Sequence, residues 1–241
     1  MTMRILYQLT SPMDRTMGEG EIARRRAVLA DAAAFGTDIE CRPVGDGPAA
    51  IEGAADAAIV VPEMLKLAPS WAADRVDAVI VGCFSDPGLD ALRERTPVPV
   101  IGPGAAALHL AAQLGTRISI LSPSGRSHGR VAARLRALGL ADLFASVRGV
   151  GASVIDLAEQ RPGAFERIVA AGRACVEKDG ADAIVLGCMS MAFLPGVAHR
   201  LQASVGCVIV NPVLAALKTA EMTVALGLGR PVPTHVAEAA E

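Results

Sequence analysis

Two cysteines in matched surroundings are the residues of this chain best suited to chemistry. Cys83 lies in VDAVIVGCFSDP (76–87) and Cys188 in ADAIVLGCMSM (181–191), 105 residues further on. Each copy is an apolar run, then Gly-Cys, one large residue (Phe84 or Met189) and a serine (Ser85 or Ser190). A free thiol titrates at about 8.5, and one facing the amino terminus of a helix moves toward neutral. Two such groups suit a carbon acid: a thiolate removes a proton from one face while a thiol donates to the other. The centre inverts without a cofactor. A single cysteine at the end of an apolar strand is ordinarily a core residue, so the matched doubling carries the inference. Cys41, Cys175 and Cys207 have no matched partner and read as packing residues. An odd, widely spaced set of five argues against a disulfide framework.

Both cysteines close short Val/Ile-rich runs, which read as buried parallel strands, and ligands of open parallel sheets bind outside the carboxyl ends of such strands. The backbone N–H groups of the turns at 83–86 and 188–191, with the hydroxyls of Ser85 and Ser190, are placed to hold a developing enolate. Gln8, Ser11, Gly47, Ser122 and Ser124 fall on the remaining strand-end turns and are candidates to line the same pocket, as are Phe84 and Met189. Asp86 has two readings: it orients Cys83 or binds substrate, or Asp-Pro-Gly is an ordinary turn at the start of a helix.

The other elements follow by periodicity. Strands are expected at 4–9, 38–44, 78–83 and 98–101, with helices at 20–35, 49–67, 88–95 and 103–114. Pro62 is expected to bend or end its helix. The pattern then restarts, with strands at 117–121, 146–150, 183–188 and 207–210. Helices fill 129–138 and 162–178, the latter with Pro162 in its first turn, and another follows Pro212. The second copy is longer by four residues between its cysteine and the proline after its last strand, Pro103 in one case and Pro212 in the other. A repeat of this length means two α/β lobes, not a solenoid of units of about 20 to 50 residues. The expected lobes are 1–98 with 209–241, and 99–208, related by a pseudo-twofold axis with the active site in the cleft between them. The tail at 230–241 is expected to be poorly ordered.

Composition excludes several classes. The 241 residues suffice to bury roughly 70% of the unfolded surface. An apolar fraction of 52% with only 3% aromatics points to Ala, Val, Leu and Ile packed between helices and buried strands, hence α/β. A net charge of −2 gives no attraction to nucleic acid or an anionic membrane. No secretory leader is read at the start, and the most apolar window, 183–198, falls short of the about 20 residues of a membrane helix, so a cytoplasmic protein is expected. His109, His128, His199 and His235 lack metal-ligand spacing, which leaves a metal site unsupported. The three lysines lie in helical contexts, against a pyridoxal Schiff base. Arg24, Arg25 and Arg26 read as a solvated helix face.

Three stretches resemble one family. Gly47-Pro48-Ala49-Ala50-Ile51-Glu52, Cys83-Phe84-Ser85-Asp86-Pro87-Gly88-Leu89-Asp90-Ala91 and Gly187-Cys188-Met189-Ser190-Met191 are similar to motifs of the aspartate/glutamate racemase superfamily, and most of all to its hydantoin and allantoin racemase branch. The resemblance runs to about Gly229. It implies two flavodoxin-like lobes, a two-base mechanism without cofactor, Cys83 and Cys188 as the bases, and a homo-oligomer acting on a small molecule. The chain departs from the branch at Gln8-Leu9-Thr10-Ser11-Pro12, at Gly102-Pro103-Gly104-Ala105-Ala106 and at Met189-Ser190. The expected substrate is a 5-substituted hydantoin or allantoin. The alternatives are an amino-acid racemase, a maleate-type isomerase, or a binding protein of the same fold. The scarcity of arginine at strand ends leans against the carboxylate substrates.

Overall fold

A computed structural model describes residues 2–229, so the expectation for the tail and His235 lie outside the described residues. The chain forms two compact units, Met1–Pro103 with the segment from Ala216 onward, and Gly104–Ala215.

The first sheet contains β1 (Met3–Gln8), β2 (Thr37–Arg42), β3 (Ala78–Val81) and β4 (Val100–Ile101), with α1 (Met13–Thr16), α2 (Glu19–Ala32), α3 (Ala54–Leu67), α4 (Ser70–Ala73), α5 (Leu89–Arg95) and α6 (Pro103–Ala112) in the connections. The second sheet contains β5 (Ile118–Ser122), β6 (Phe144–Gly149), β7 (Ala183–Leu186) and β8 (Val208–Val210). Its helices are α7 (His128–Ala137), α8 (Val154–Ala158), α9 (Ala164–Asp179), α10 (Met189–Ala192), α11 (Val197–Val205) and α12 (Pro212–Ala225). All pairings are parallel, and the orders β2-β1-β3-β4 and β6-β5-β7-β8 are the same permutation. The fold is α/β, as the composition requires.

Sequence explains which strands are central. β3 (AVIV) and β7 (AIVL) are buried at every position and have no polar side chain to spare, as strands covered on both faces require. The edge strands β2 (TDIECR) and β6 (FASVRG) keep polar residues and partial exposure. Leu6, Val44, Val60, Met64, Trp71, Val79, Val81 and Leu92 form the core of the first unit.

The repeat extends to the opposite edge of each sheet. Asp77 accepts the Arg4 N–H at 2.7 Å, fastening the start of β1 to the start of β3. Asp182, 105 residues later, does the same for β5, accepting N–H groups from Thr116 at 2.9 Å and Arg117 at 2.8 Å. Burial raises the Asp182 carboxyl, but these bonds outweigh it and hold the group below its ordinary range.

In the second unit a half-buried polar chain joins β5, β6 and α9. The Ser119 and Ser146 hydroxyls lie 2.8 Å apart, Ser146 donates to Asp179 at 2.6 Å, and Arg148 closes on both Asp179 oxygens at 2.6 and 2.8 Å. Cys175 lies fully buried against it.

Several boundaries differ from expectation for identifiable reasons. Pro162 precedes α9, whose first turn follows Gly163 in the left-handed region (φ 79°). Pro62 neither ends nor interrupts α3, which continues to Leu67. The same helix starts at Ala54 because Asp56 accepts the Glu52 and Gly53 N–H groups and fixes the start there. Arg25 is not solvated: it is buried and pairs with Glu21 at 2.7 Å. The four extra residues of the second copy fall where α10 and α11 stand in place of the single α5.

Two outcomes follow from this packing. A methyl at Gly82 would lie 2.8 Å from the Gln8 carbonyl oxygen, and one at Gly187 2.6 Å from that of Leu121. Gly82→Ala and Gly187→Ala are each expected to lower stability by about 1–3 kcal/mol, because the obstacle is backbone and cannot swing aside; equilibrium urea unfolding at neutral pH gives the value, and an unchanged midpoint would refute the clash. Burial pushes the Cys175 thiol up to about 11, whereas an unfolded thiol titrates at about 8.5. The folded chain keeps a proton that the unfolded chain has released, so this contribution is complete below about pH 8.5 and is lost as pH rises toward about 11. Cys175→Ala should flatten the alkaline fall in stability by at most about 1.4 kcal/mol per pH unit; an identical slope in wild type and variant would contradict the assignment.

Candidate functional site

In the first unit the site residues gather where β1 and β3 end side by side. Gln8 and Val81 are paired as the last residues of the two strands, and the Gly82 N–H donates to the Gln8 carbonyl at 2.8 Å. Gly82 is also within reach of Leu9 and the Tyr7 ring, so a side chain there has no room. This close approach turns the chain sharply. Cys83 follows, its N–H bonded to the Val81 carbonyl at 2.8 Å and its carbonyl accepting the Asp86 N–H at 3.1 Å. The Cys83 thiol is partly exposed and lies 3.2 Å from the Ser85 hydroxyl. Phe84 is buried and Ser85 exposed.

These bonds alter one expectation. The N–H groups of Cys83 and Asp86 are engaged within the turn itself, so they are not the donors to a developing enolate that the sequence suggested.

Asp86 holds a left-handed backbone (φ 50°), uncommon for a residue other than glycine, and is buried. Its carboxylate fills the space that a Cβ at Gly102 would occupy. The corresponding residue after β8, at the start of α12, is Asn211, whose side chain accepts the Val213 N–H at 2.9 Å and donates to the Ala192 carbonyl at 2.9 Å. Asp86 therefore stands where the first unit lacks an Asn211 side chain, which favours a structural part for it.

Gln8 is fully buried, and Ser11 is buried on the turn that leads into α1. Gly47 lies in a turn beyond β2 with its N–H on the Asp46 carboxylate at 2.8 Å. Arg15 of α1 binds the Gly45 carbonyl and ties that turn down.

In the second unit Gly187 repeats the arrangement, donating to the Leu121 carbonyl at 2.6 Å with Ile120 and Leu121 closing off any side chain. Cys188 is buried, extended, and directly precedes α10, whose Met189 and Ser190 are also buried. Ser122 is buried and accepts from the Ser127 hydroxyl at 3.1 Å, while Ser124 is exposed. The structure thus brings Gln8, Cys83 and Ser85 to one sheet end, and Ser122, Cys188 and Ser190 to the equivalent end of the other sheet.

Burial pushes the remaining thiols up, Cys41 to about 12 and Cys175 and Cys207 each to about 11, so all three stay protonated near neutral pH. Among the described residues no group of three or more His, Cys, Asp or Glu is placed to hold a metal ion, and no helix is long and apolar enough to cross a membrane. Sequence reasoning missed the parts played by Gly82, Gly187 and Asn211. All three were visible in the repeat as residues directly flanking a strand end.

Comparison with known proteins bears on the same features. The profile of the Asp/Glu/Hydantoin racemase family matches residues 24–220. The chain is 35% identical to a hydantoin racemase of Paenarthrobacter aurescens over 204 residues, covering 83% of this chain and 85% of that one. It is 36% identical to a hydantoin racemase of Rhizobium meliloti over 182 residues, 76% and 74% of the respective chains. Among solved structures, an allantoin racemase from Klebsiella pneumoniae superposes with a TM-score of 0.84 at 31% identity, covering 95% of this chain and 91% of that one. The chain belongs to the Asp/Glu/hydantoin racemase family and is an isomerase of the racemase type.

Proposed function

We propose that the chain is a cofactor-independent racemase or epimerase of a small carbon acid, a 5-substituted hydantoin or allantoin, with Cys83 and Cys188 as its two bases. The observation that carries the reading is the doubled Gly-Cys turn at the carboxyl end of the third strand of each sheet. Binding alone has no use for two matched thiols. In one direction the Cys83 thiolate takes the proton from the chiral carbon, the electron pair delocalises into the adjacent carbonyl, and the Cys188 thiol returns a proton to the opposite face. The reverse direction exchanges the roles. Each turnover leaves one thiol and one thiolate, so protons balance without a redox partner.

The hydroxyl of Ser85, 3.2 Å from the Cys83 thiol, supports this assignment by offering that sulfur a hydrogen bond as its charge changes. Ser11, Gly47 and Phe84 in the first unit, and Ser122, Ser124, Met189 and Ser190 in the second, are the proposed surroundings of the substrate, together with Gln8. The relatives named hydantoin racemase and the structure named allantoin racemase support the substrate class.

Cys83→Ala and Cys188→Ala should each reduce racemisation of a single hydantoin enantiomer by about 10²–10⁴-fold, the worth of a positioned acid or base. The readout is loss of optical rotation in deuterated buffer with mass analysis of recovered substrate. Racemisation with deuterium uptake at the wild-type rate in either variant would remove that cysteine from the mechanism. Dialysis against EDTA should leave the wild-type rate unchanged, and a loss restored by added metal would exclude a purely thiol-based reaction.

A further inference from the structure

We infer that the side-chain carbonyl of Gln8 is an acceptor reserved for a ring N–H of the substrate, and that it makes the site selective for a cyclic ureide over a carboxylate. The inference rests on the proposed racemase reading and assigns one atom a role within it. Gln8 is fully buried at the carboxyl end of β1, beside the Gly82-Cys83 turn. Its amide nitrogen donates to the Arg42 carbonyl at 2.9 Å and the Leu9 carbonyl at 3.2 Å. Those two bonds fix the orientation of the carboxamide, since the reverse placement would set its oxygen against two carbonyl oxygens. The oxygen, Oε1, has no hydrogen-bond partner among the described residues. A buried carbonyl left unpaired costs about 1–3 kcal/mol, so its retention calls for a function.

The repeat shows that the fold does not need this group. Gly82 donates to the Gln8 carbonyl, and Gly187 donates in the same way to that of Leu121, so Leu121 occupies the equivalent place in the second sheet. Leu121 is also fully buried. An apolar side chain therefore satisfies this position structurally, and the first unit carries a polar one at an energetic cost. The next element, α1, presents a second buried acceptor without a partner, Oδ1 of Asp14. Buried acceptors that the chain leaves unpaired suit a ligand that brings donors. Hydantoin and allantoin rings carry N–H groups beside their carbonyls, whereas the carboxylates of aspartate, glutamate or maleate would meet a carbonyl oxygen with repulsion.

The test uses the full chain, with hydantoin, 1-methylhydantoin, 3-methylhydantoin and maleate as probes in titration calorimetry, against wild type, Gln8→Leu and Gln8→Met. Thermal unfolding serves as the control for folding. Wild type should bind hydantoin, lose about tenfold in affinity when one particular ring nitrogen is methylated, and bind maleate more weakly still. The two variants should bind hydantoin about tenfold more weakly and no longer distinguish that methylated ring from the parent. With a racemisable 5-substituted hydantoin, KM should rise by a similar factor while kcat changes less. Equal affinity of wild type and a folded variant for hydantoin would overturn the inference, with Oε1 then satisfied by a buried water. Equal tolerance of both methylations by wild type would overturn it without any variant. If the expected binding pattern appears but wild type exchanges no deuterium, the racemase reading fails and the acceptor assignment stands.

Discussion

The contact on which the rest of the site depends is the approach of a glycine N–H to the last carbonyl of the neighbouring strand. Gly82 meets Gln8 at 2.8 Å, and Gly187 meets Leu121 at 2.6 Å. In each sheet this bond adds one rung beyond the regular ladder, and the chain then breaks out of the strand at the next residue. That residue is the cysteine. A Cβ at either glycine would strike backbone on the neighbouring strand, so the thiol is delivered to the strand end only if the preceding residue has no side chain. The aspartates at the opposite edge, Asp77 and Asp182, complete the alignment by holding the starts of β1 and β5 against the starts of β3 and β7. A strand of four residues fastened at both ends leaves little freedom in where its terminal sulfur lies.

Much of this was legible in the sequence because the repeat is written in residues whose chemistry leaves few alternatives. Four-residue apolar runs cannot sustain a helix, and bounded by Asp on one side and Gly-Cys on the other they read as central parallel strands. What was not legible depends on partners distant in sequence. Arg25 looked solvated within a run of three arginines, and only the turn of α2 that places Glu21 beneath it makes it a buried ion pair. The start of α3 moved from Ala49 to Ala54 because a reciprocal cap at Asp56 overrode the helix propensity of the preceding alanines. The motif presents the N–H groups of the Cys83 turn as free donors, whereas two of them close the turn itself. Whether a backbone donor is available is decided by local dihedral angles, and a motif does not state those.

The two copies diverge where a common fold would let them stay alike. After β8, Asn211 caps and braces the start of α12 with its own side chain, while after β4 the chain has Gly102 and fills the space with Asp86. Placing Asp86 so requires a left-handed residue three positions after Cys83, a conformation that costs on the order of 1 kcal/mol. The strain coincides with the turn that carries the Cys83 thiol. Cys83 is partly exposed and faces a serine hydroxyl, whereas Cys188 is buried and directly precedes a helix. Two thiols in unlike surroundings need not be equally good acids, and a racemase does not require that they be, because the equilibrium between enantiomers fixes only the ratio of kcat/KM in the two directions.

The distribution of charge is consistent with the neutral substrate proposed. Arg42 is bound to Glu40 and Asp74, Arg148 to Asp179, and Arg15 to a backbone carbonyl. These three arginines are thus committed to structural partners. Two buried acceptors at the end of β1 and in α1, Gln8 Oε1 and Asp14 Oδ1, have no hydrogen-bond partner among the described residues. A carboxylate entering there would lose its hydration without gaining a cation, a cost that hydrogen bonds from neutral groups do not readily offset. An uncharged ring that supplies its own N–H donors would lose far less, with Gln8 Oε1 of the protein accepting and the ligand donating.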